Sequence, residues 1–234
     1  MARKHSFLRL PLPAIRFMRI LIVVAIGLFA LLLILMHRST ALSDPSAECI
    51  STSFTVCIDA GHGGSDPGAS GLDRTEKDDT LAAALALQQA MEARNITVVM
   101  TRSDDTTLTL QERVARAEAA NANLFLSLHR NAAETGNGVE VWIAQQCSAT
   151  SQSLADKIHT NLVTVGMQND RGIRNGTQSG NGDYYVLSHT TMPAVLIELG
   201  FMQDKEDNKL FDKHLTDYAD AITNAVVDIC NASE

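Results

Sequence analysis

The sequence predicts a single α/β domain with a largely parallel, mixed sheet flanked by helices, preceded by an N-terminal transmembrane helix. Three observations carry that reading. Short β-branched apolar runs alternate with segments of helical periodicity. Strands separated by helices need crossover connections and so pair in parallel. One long apolar stretch stands apart near the N-terminus.

That stretch, Ile20 to Met36, is 17 uncharged residues, a helix of roughly 25 Å and just enough to span a thin bilayer. Five basic residues precede it within a segment, 1–19, expected in the cytoplasm, and Arg38 follows it. The body is therefore expected outside the membrane, anchored through 20–36, with secretion after cleavage near Ser43 as the alternative. Residues 1–38 hold six of the 19 Lys and Arg and no acid, leaving 13 basic against 27 acidic residues beyond, a formal balance of −14. Such a body is unsuited to binding nucleic acid.

After a polar linker, 37–53, the domain is expected over 54–232. Its strands are FTVCID (54–59), ITVVMT (96–101), LFLSLH (124–129), GVEVWIA (138–144) and PAVLIEL (193–199). A helix over about 76–94 follows the first strand, with Ala84, Leu87 and Met91 on one face and Asn95 as its left-handed terminator. Thr109 and Glu112 have capping-box spacing and open the second helix. A third helix is expected at 151–166, and a last one aligns Leu215, Tyr218, Ile222, Val226 and Ile229. The Gly-rich stretch RGIRNGTQSGNGDYY reads as a loop bordering a groove, with Asp170, Arg171 and Arg174 as candidate contacts. In an exported body the four cysteines permit three pairings, and a Cys49 to Cys230 bridge would tie the two ends together. Cys57 reads as a buried thiol within its strand.

In open α/β sheets, ligands gather at the carboxyl ends of strands. His62 lies just past the first strand, His129 ends the third and Glu198 ends the last, while Glu76 opens the first helix on the same edge. Two imidazoles and a carboxylate converging there are the ligand set of a catalytic zinc whose fourth position takes water. Singly, each has an ordinary structural explanation: a satisfied histidine, a helix-dipole glutamate, a glycine turn. Ser127 and His129 are expected to project to opposite strand faces, which argues against a Ser/His nucleophile pair.

The blocks IDAGHGGSDPGAS, RTEKDDTLAAALALQQAM, VVMTRSDDTTLTLQERVARAEAANANLFLSLHRNA and MPAVLIELGFMQDKEDNKLF resemble, in order, those of the zinc-dependent N-acetylmuramoyl-L-alanine amidases, the amidase-3 type of cell-wall hydrolase. The resemblance runs over about residues 54–230. It implies that His62, Glu76 and His129 hold Zn2+ and that Glu198 activates the attacking water. The implied substrate is peptidoglycan, cut between the lactyl group of N-acetylmuramic acid and the L-alanine of the stem peptide, in wall remodelling, cell separation or the spore cortex. Ala60, Leu128, Arg130 and Met202-Gln203-Asp204 depart from the family's usual residues. They touch neither ligands nor base and so bear on substrate fit. Arg130 is read as a solvated loop residue, with contact to a peptide carboxylate as its functional alternative. Arg102 is expected to pin a loop and Asn131 to orient a ligand. A protein activator is an open expectation. The alternative in a different class is a catalytically weak peptidoglycan-binding homologue, and a second enzyme alternative is a zinc peptidase acting within the stem.

Overall fold

In a computed structural model that describes residues 48–49 and 53–233, the first apolar run forms β1 (Thr55–Ala60) at the interior of the sheet. The basic segment 1–19, the apolar stretch 20–36 and most of the 37–53 linker lie outside the described residues. Among the described residues no helix is long and apolar enough to cross a membrane.

A two-stranded hairpin, β2 (Ser70–Gly71) and β3 (Arg74–Thr75), precedes α1 (Glu76–Glu92), whose first turn carries Glu76, Asp78 and Asp79 against the positive end of the helix dipole. Asn95 sits at φ 62°, the left-handed turn expected of it, before β4 (Thr97–Met100). The capping box forms: Thr109 Oγ1 accepts from Glu112 N at 3.2 Å and Glu112 accepts from Thr109 N at 2.7 Å, starting α2 (Leu110–Ala119). Then come β5 (Leu124–Asn131), β6 (Val139–Ile143), α3 (Ala149–Val165), β7 (Asp170–Asn175), α4 (Tyr185–His189), β8 (Ala194–Phe201) and α5 (Lys205–Ala232).

The six-stranded sheet runs β4-β1-β5-β8-β6-β7. All neighbours are parallel except β6 and β8, so β6 and β7 run against the rest. Alternation along the strands divides the core. Val56, Ile58, Leu126, Leu128, Val195 and Ile197 face α1, α3 and α5 through Leu87, Met91, Leu154, Ile158, Ile222 and Val226. Cys57, Phe125, Ala194 and Leu196 face the thinner cover of Ala117, Ala122, Val186 and Leu187. The candidate site opens where that thinner cover ends.

Two elements differ from expectation. RGIRN is not a loop but the edge strand β7, held by pairing with β6 rather than by apolar alternation. The last helix starts ten residues before Leu215, at Lys205, capped by Asp204, and breaks at His214. Its buried first turns carry Asp207 and Asn208 beside Phe211, which hides the apolar period. Asp207 accepts from Phe201 N and Gly138 N, both at 2.8 Å.

Cys49 and Cys230 form a disulfide across 181 residues of chain. Reducing it, or replacing Cys230 by serine, is expected to lower stability by about 2–5 kcal/mol, read as a lower urea midpoint for the oxidised protein after reductant is added. Cys57 is buried, and burial, with Asp59 nearby, pushes its thiol up to about 12.

Candidate metal centre

The turn after β1 is held from beneath by two arginines. Arg102 donates to the carbonyls of Ala60 (2.9 Å) and Gly61 (2.8 Å), and Arg113 donates to those of Ala60 (2.7 Å) and His62 (2.6 Å). Three successive carbonyls are thereby held by guanidinium groups. His62 is fixed at φ 60°, a left-handed conformation uncommon for a residue with a side chain. Gly61 answers for part of the glycine content: a Cβ there would lie 2.4 Å from the His129 ring. Gly68, at φ +64°, packs against both His62 and Glu76, where a Cβ would come within 2.6 Å and 2.7 Å. Arg102 thus pins its loop as expected. Arg113, which sequence reasoning missed, forms a buried ion pair with Asp59 at 2.8 Å. Arg113→Ala is expected to destabilise the fold by about 3–5 kcal/mol by leaving Asp59 buried and uncompensated, measurable by chemical denaturation.

His62, Glu76 and His129 converge, each offering a ligand atom within 4.8 Å of the others. Glu76 Oε1 lies 2.9 Å from His129 Nδ1 and Oε2 lies 3.2 Å from His62 Nε2. Backbone N–H groups orient the carboxylate: Arg130 N donates to Oε1 at 3.0 Å and Ala69 N to Oε2 at 2.9 Å. On its far side His62 Nδ1 lies 2.9 Å from Asp66 Oδ2, the outer carboxylate that fixes the tautomer of a ligating histidine.

The donor set fits a cation. With the Nδ1 proton committed to Asp66, the Nε2 lone pair of His62 points at a carboxylate oxygen, an arrangement that needs a proton or a metal ion between them. Donor separations of 2.9 and 3.2 Å approach the roughly 3.3 Å implied by tetrahedral bonds of about 2.0–2.1 Å. Burial favours a neutral Glu76, yet the hydrogen bonds from His129 and His62 outweigh it and hold its carboxyl well below the usual range. Burial likewise opposes a charged His62, but the bond to Glu76 prevails and raises its pKa.

Glu198 stands beside this group, in register with His129 on one side and Glu140 on the other. It is 7% exposed, and its Oε2 has no hydrogen-bond partner among the described residues. Burial, reinforced by the charges of Glu76 and Glu140, raises its pKa well above the ordinary carboxylate value. A cleft of about 550 Å³ brings His62, Glu76, His129 and Glu198 together with Asn131, Gln178 and Tyr184. Burial and the Glu198 charge push the Tyr184 phenol up to about 12, so it stays a hydrogen-bond donor.

Other expectations need correction. Ser127 and His129 share a strand face, being two residues apart. The Ser/His pair is excluded instead because fully buried Ser127 donates to Asp59 Oδ2 at 2.7 Å. Arg130 is neither solvated nor open to substrate. It is 1% exposed, ion-paired with Asp79 at 2.6 Å, bonded to Asn208 at 2.6 Å and stacked 4.3 Å over Phe211. Asn131 serves Glu140, donating to Oε2 at 3.1 Å, rather than an imidazole. Asp170 is tied to His159 at 2.6 Å, whereas Arg171 and Arg174 both approach Glu140, an arrangement that leaves the Arg174 side chain 42% exposed and does not remove it from the groove. The clues to Asp66, Asp59 and Glu140 were present: an acid four residues after a histidine, and acids inside apolar strands.

Known proteins share this arrangement of elements. The family described as N-acetylmuramoyl-L-alanine amidase matches residues 56–228. The Bacillus subtilis protein YqiI is 39% identical over 176 residues, covering 74% of this chain and 82% of that one. LytH of Staphylococcus aureus, named as a cell wall amidase, is 35% identical over 179 residues, covering 74% of this chain and 56% of LytH. The catalytic domain of CwlV, an N-acetylmuramoyl-L-alanine amidase from Bacillus (Paenibacillus) polymyxa var. colistinus, superposes with a TM-score of 0.67 at 36% identity, covering 75% of this chain and 97% of that domain.

Proposed function

The chain belongs to the N-acetylmuramoyl-L-alanine amidase family, and from that premise we propose that it hydrolyses the amide between the lactyl group of N-acetylmuramic acid and the L-alanine of the peptidoglycan stem. His62, Glu76 and His129 hold a zinc ion and Glu198 carries the proton. The observation that carries the reading is a buried, unpartnered glutamate oxygen beside a His-Glu-His cluster at the base of an open cleft.

When bound, zinc supplies Lewis acidity to the scissile carbonyl, lowers the pKa of water from 15.7 to about 7 and sets a positive charge beside the Glu76 carboxylate. The remaining work falls to side chains. Glu198 accepts the proton of the attacking water and returns it to the departing nitrogen, base and then acid. Its position, buried beside the cleft, suits the second role, since an amine leaves only once protonated. Asp66 and the Arg113-held backbone keep His62 aimed, while the Arg130 and Ala69 amides keep Glu76 from turning. Ser127 and Cys57 take no part, being buried away from the cleft.

The apolar stretch 20–36 supports an anchor that keeps the domain at the outer face of the membrane, in reach of the wall. Wall remodelling, cell separation and cortex processing all use this bond cleavage.

Digesting purified peptidoglycan with zinc-loaded protein and analysing the products by mass spectrometry tests the reaction. Release of intact stem peptides with a free L-alanine amino terminus is the expected result. Cuts inside the stem would make the protein a peptidase, and zinc binding without cleavage would make it a binding homologue.

A further inference from the structure

Reading across the sheet from β5 to β7, the active-site face carries a sequence of charges. His129 stands on β5, Glu198 beside it on β8, Glu140 in register on β6, then Arg171 and Arg174 on β7. Both arginines approach the same Glu140 oxygen, Oε1, while Oε2 accepts from Trp142 at 2.9 Å and Asn131 at 3.1 Å. Two guanidinium groups thus share one carboxylate, an excess of positive charge in a strongly acidic body.

Arg171 is the better held, donating through Nε to Glu140 and lying 5.0 Å over the Phe201 ring. Arg174 is within ion-pair reach of Glu140 at 3.4 Å, but the angles do not make a hydrogen bond, and its Nε is enclosed without such a partner among the described residues. Its side chain is 42% exposed and its guanidinium lies 5.8 Å from Trp142, which packs edge-on against Tyr184 of the cleft. A second link runs from Glu140 through Asn131 to Gln178, and both of those residues line the cleft.

We propose that Arg174, braced by Glu140 and Arg171, binds the α-carboxylate of the residue that follows L-alanine in the stem peptide. This rests on the amide-hydrolase reading above, because Glu198 then marks where the departing nitrogen lies. The peptide must continue from that nitrogen, and the side of Glu198 away from His129 is the β6–β7 side. Two strand spacings separate β8 from β7, about 10 Å, and Arg174 stands two residues along from the level of Glu198, in register with Trp142 and Leu196, which makes about 12 Å in all. A second residue lies about 7 Å from the scissile bond at 3.3–3.6 Å per residue, and the long arginine side chain spans the remainder. The pair that separates charge from shape at this position is a free α-carboxylate and its uncharged α-amide. A guanidinium with unused N–H groups binds the acid in a two-pronged manner and gains nothing comparable from the amide.

The test uses the zinc-loaded full-length chain in detergent and a pair of synthetic muramyl dipeptides, one with the free acid and one with the α-amide. For the wild type the acid should show a KM at least about tenfold lower than the amide. Arg174→Gln should remove that preference by raising KM for the acid alone, with kcat little changed, and Arg174→Lys should restore part of it. Equal KM values in the wild type, or an Arg174→Gln effect common to both substrates, would overturn the proposal and leave the hydrolase reading standing. If neither dipeptide is cleaved, the peptidoglycan digestion above still decides the hydrolase reading. The fluorescence of Trp142, the chain's single tryptophan, then decides the subsite: acid-selective quenching lost in Arg174→Gln supports it, and equal quenching by acid and amide overturns it.

Discussion

Glu198→Gln is expected to lower kcat by about 100- to 10,000-fold while the protein still takes up zinc. The glutamine preserves shape and hydrogen bonding but cannot accept the water proton. Burial raises the Glu198 pKa in the metal-free protein; in the zinc-loaded enzyme the active form is the carboxylate, so the wild-type rate should climb as pH rises through the ionisation of Glu198 there. The same shift has an opposite consequence for the metal-free fold. A carboxyl that binds its proton more tightly folded than unfolded adds stability that is fully present below the unfolded value of about 4.3, and that stability is lost as pH rises through the folded value. Metal-free Glu198→Gln should therefore melt at least about 2 °C higher than metal-free wild type at pH 8, about the shift from 1 kcal/mol in a domain of this size. Calorimetry at pH 5 and pH 8 checks the sign: the gap between variant and wild type should widen with pH.

Glu76→Gln should have the second-largest effect, through the metal rather than the proton. Glu76 faces both imidazoles at 2.9 and 3.2 Å and is aimed by two backbone amides. Removing its charge at constant shape should weaken zinc binding by more than the roughly 10- to 100-fold typical of outer partners, with activity falling in step. Because imidazoles must be neutral to bind, zinc should also be released on acidification through the ordinary histidine range. Equilibrium dialysis at pH 7.5 and pH 5.5 reads both effects, and unchanged stoichiometry in Glu76→Gln at both pH values would remove it from the ligand set.

Much of the site was legible because its parts sit at strand and helix ends, where turn chemistry is local. The Gly-His-Gly turn after FTVCID, the His ending LFLSLH and the Glu opening a helix all lie on one edge of any parallel sheet, and Glu198, next to last in PAVLIEL but with three more residues of β8 beyond it, reaches the same site through its register with His129. The supports were less legible, because they depend on contacts between distant segments. Arg113 reaches the His62 carbonyl from 51 residues away, and Arg130 finds Asn208 across 78. Both arginines look like surface residues in the linear sequence, and each is buried only because a carboxylate waits at the other end of the fold. β7 was illegible for a related reason. An edge strand needs one partner and no apolar alternation, so DRGIRN carries its identity in the β6 ladder rather than in its own composition.

The assignment of His62, Glu76 and His129 to one metal ion is the step on which the chemistry depends. Anomalous diffraction at the zinc edge, from crystals of protein purified without added chelator, addresses it directly. A single peak about 2.0–2.2 Å from a nitrogen of His62, a nitrogen of His129 and a Glu76 oxygen, with Glu198 outside bonding distance, is the predicted result. A peak ligated by Glu198 in place of one of these three, or zinc found only elsewhere on the molecule, would contradict it.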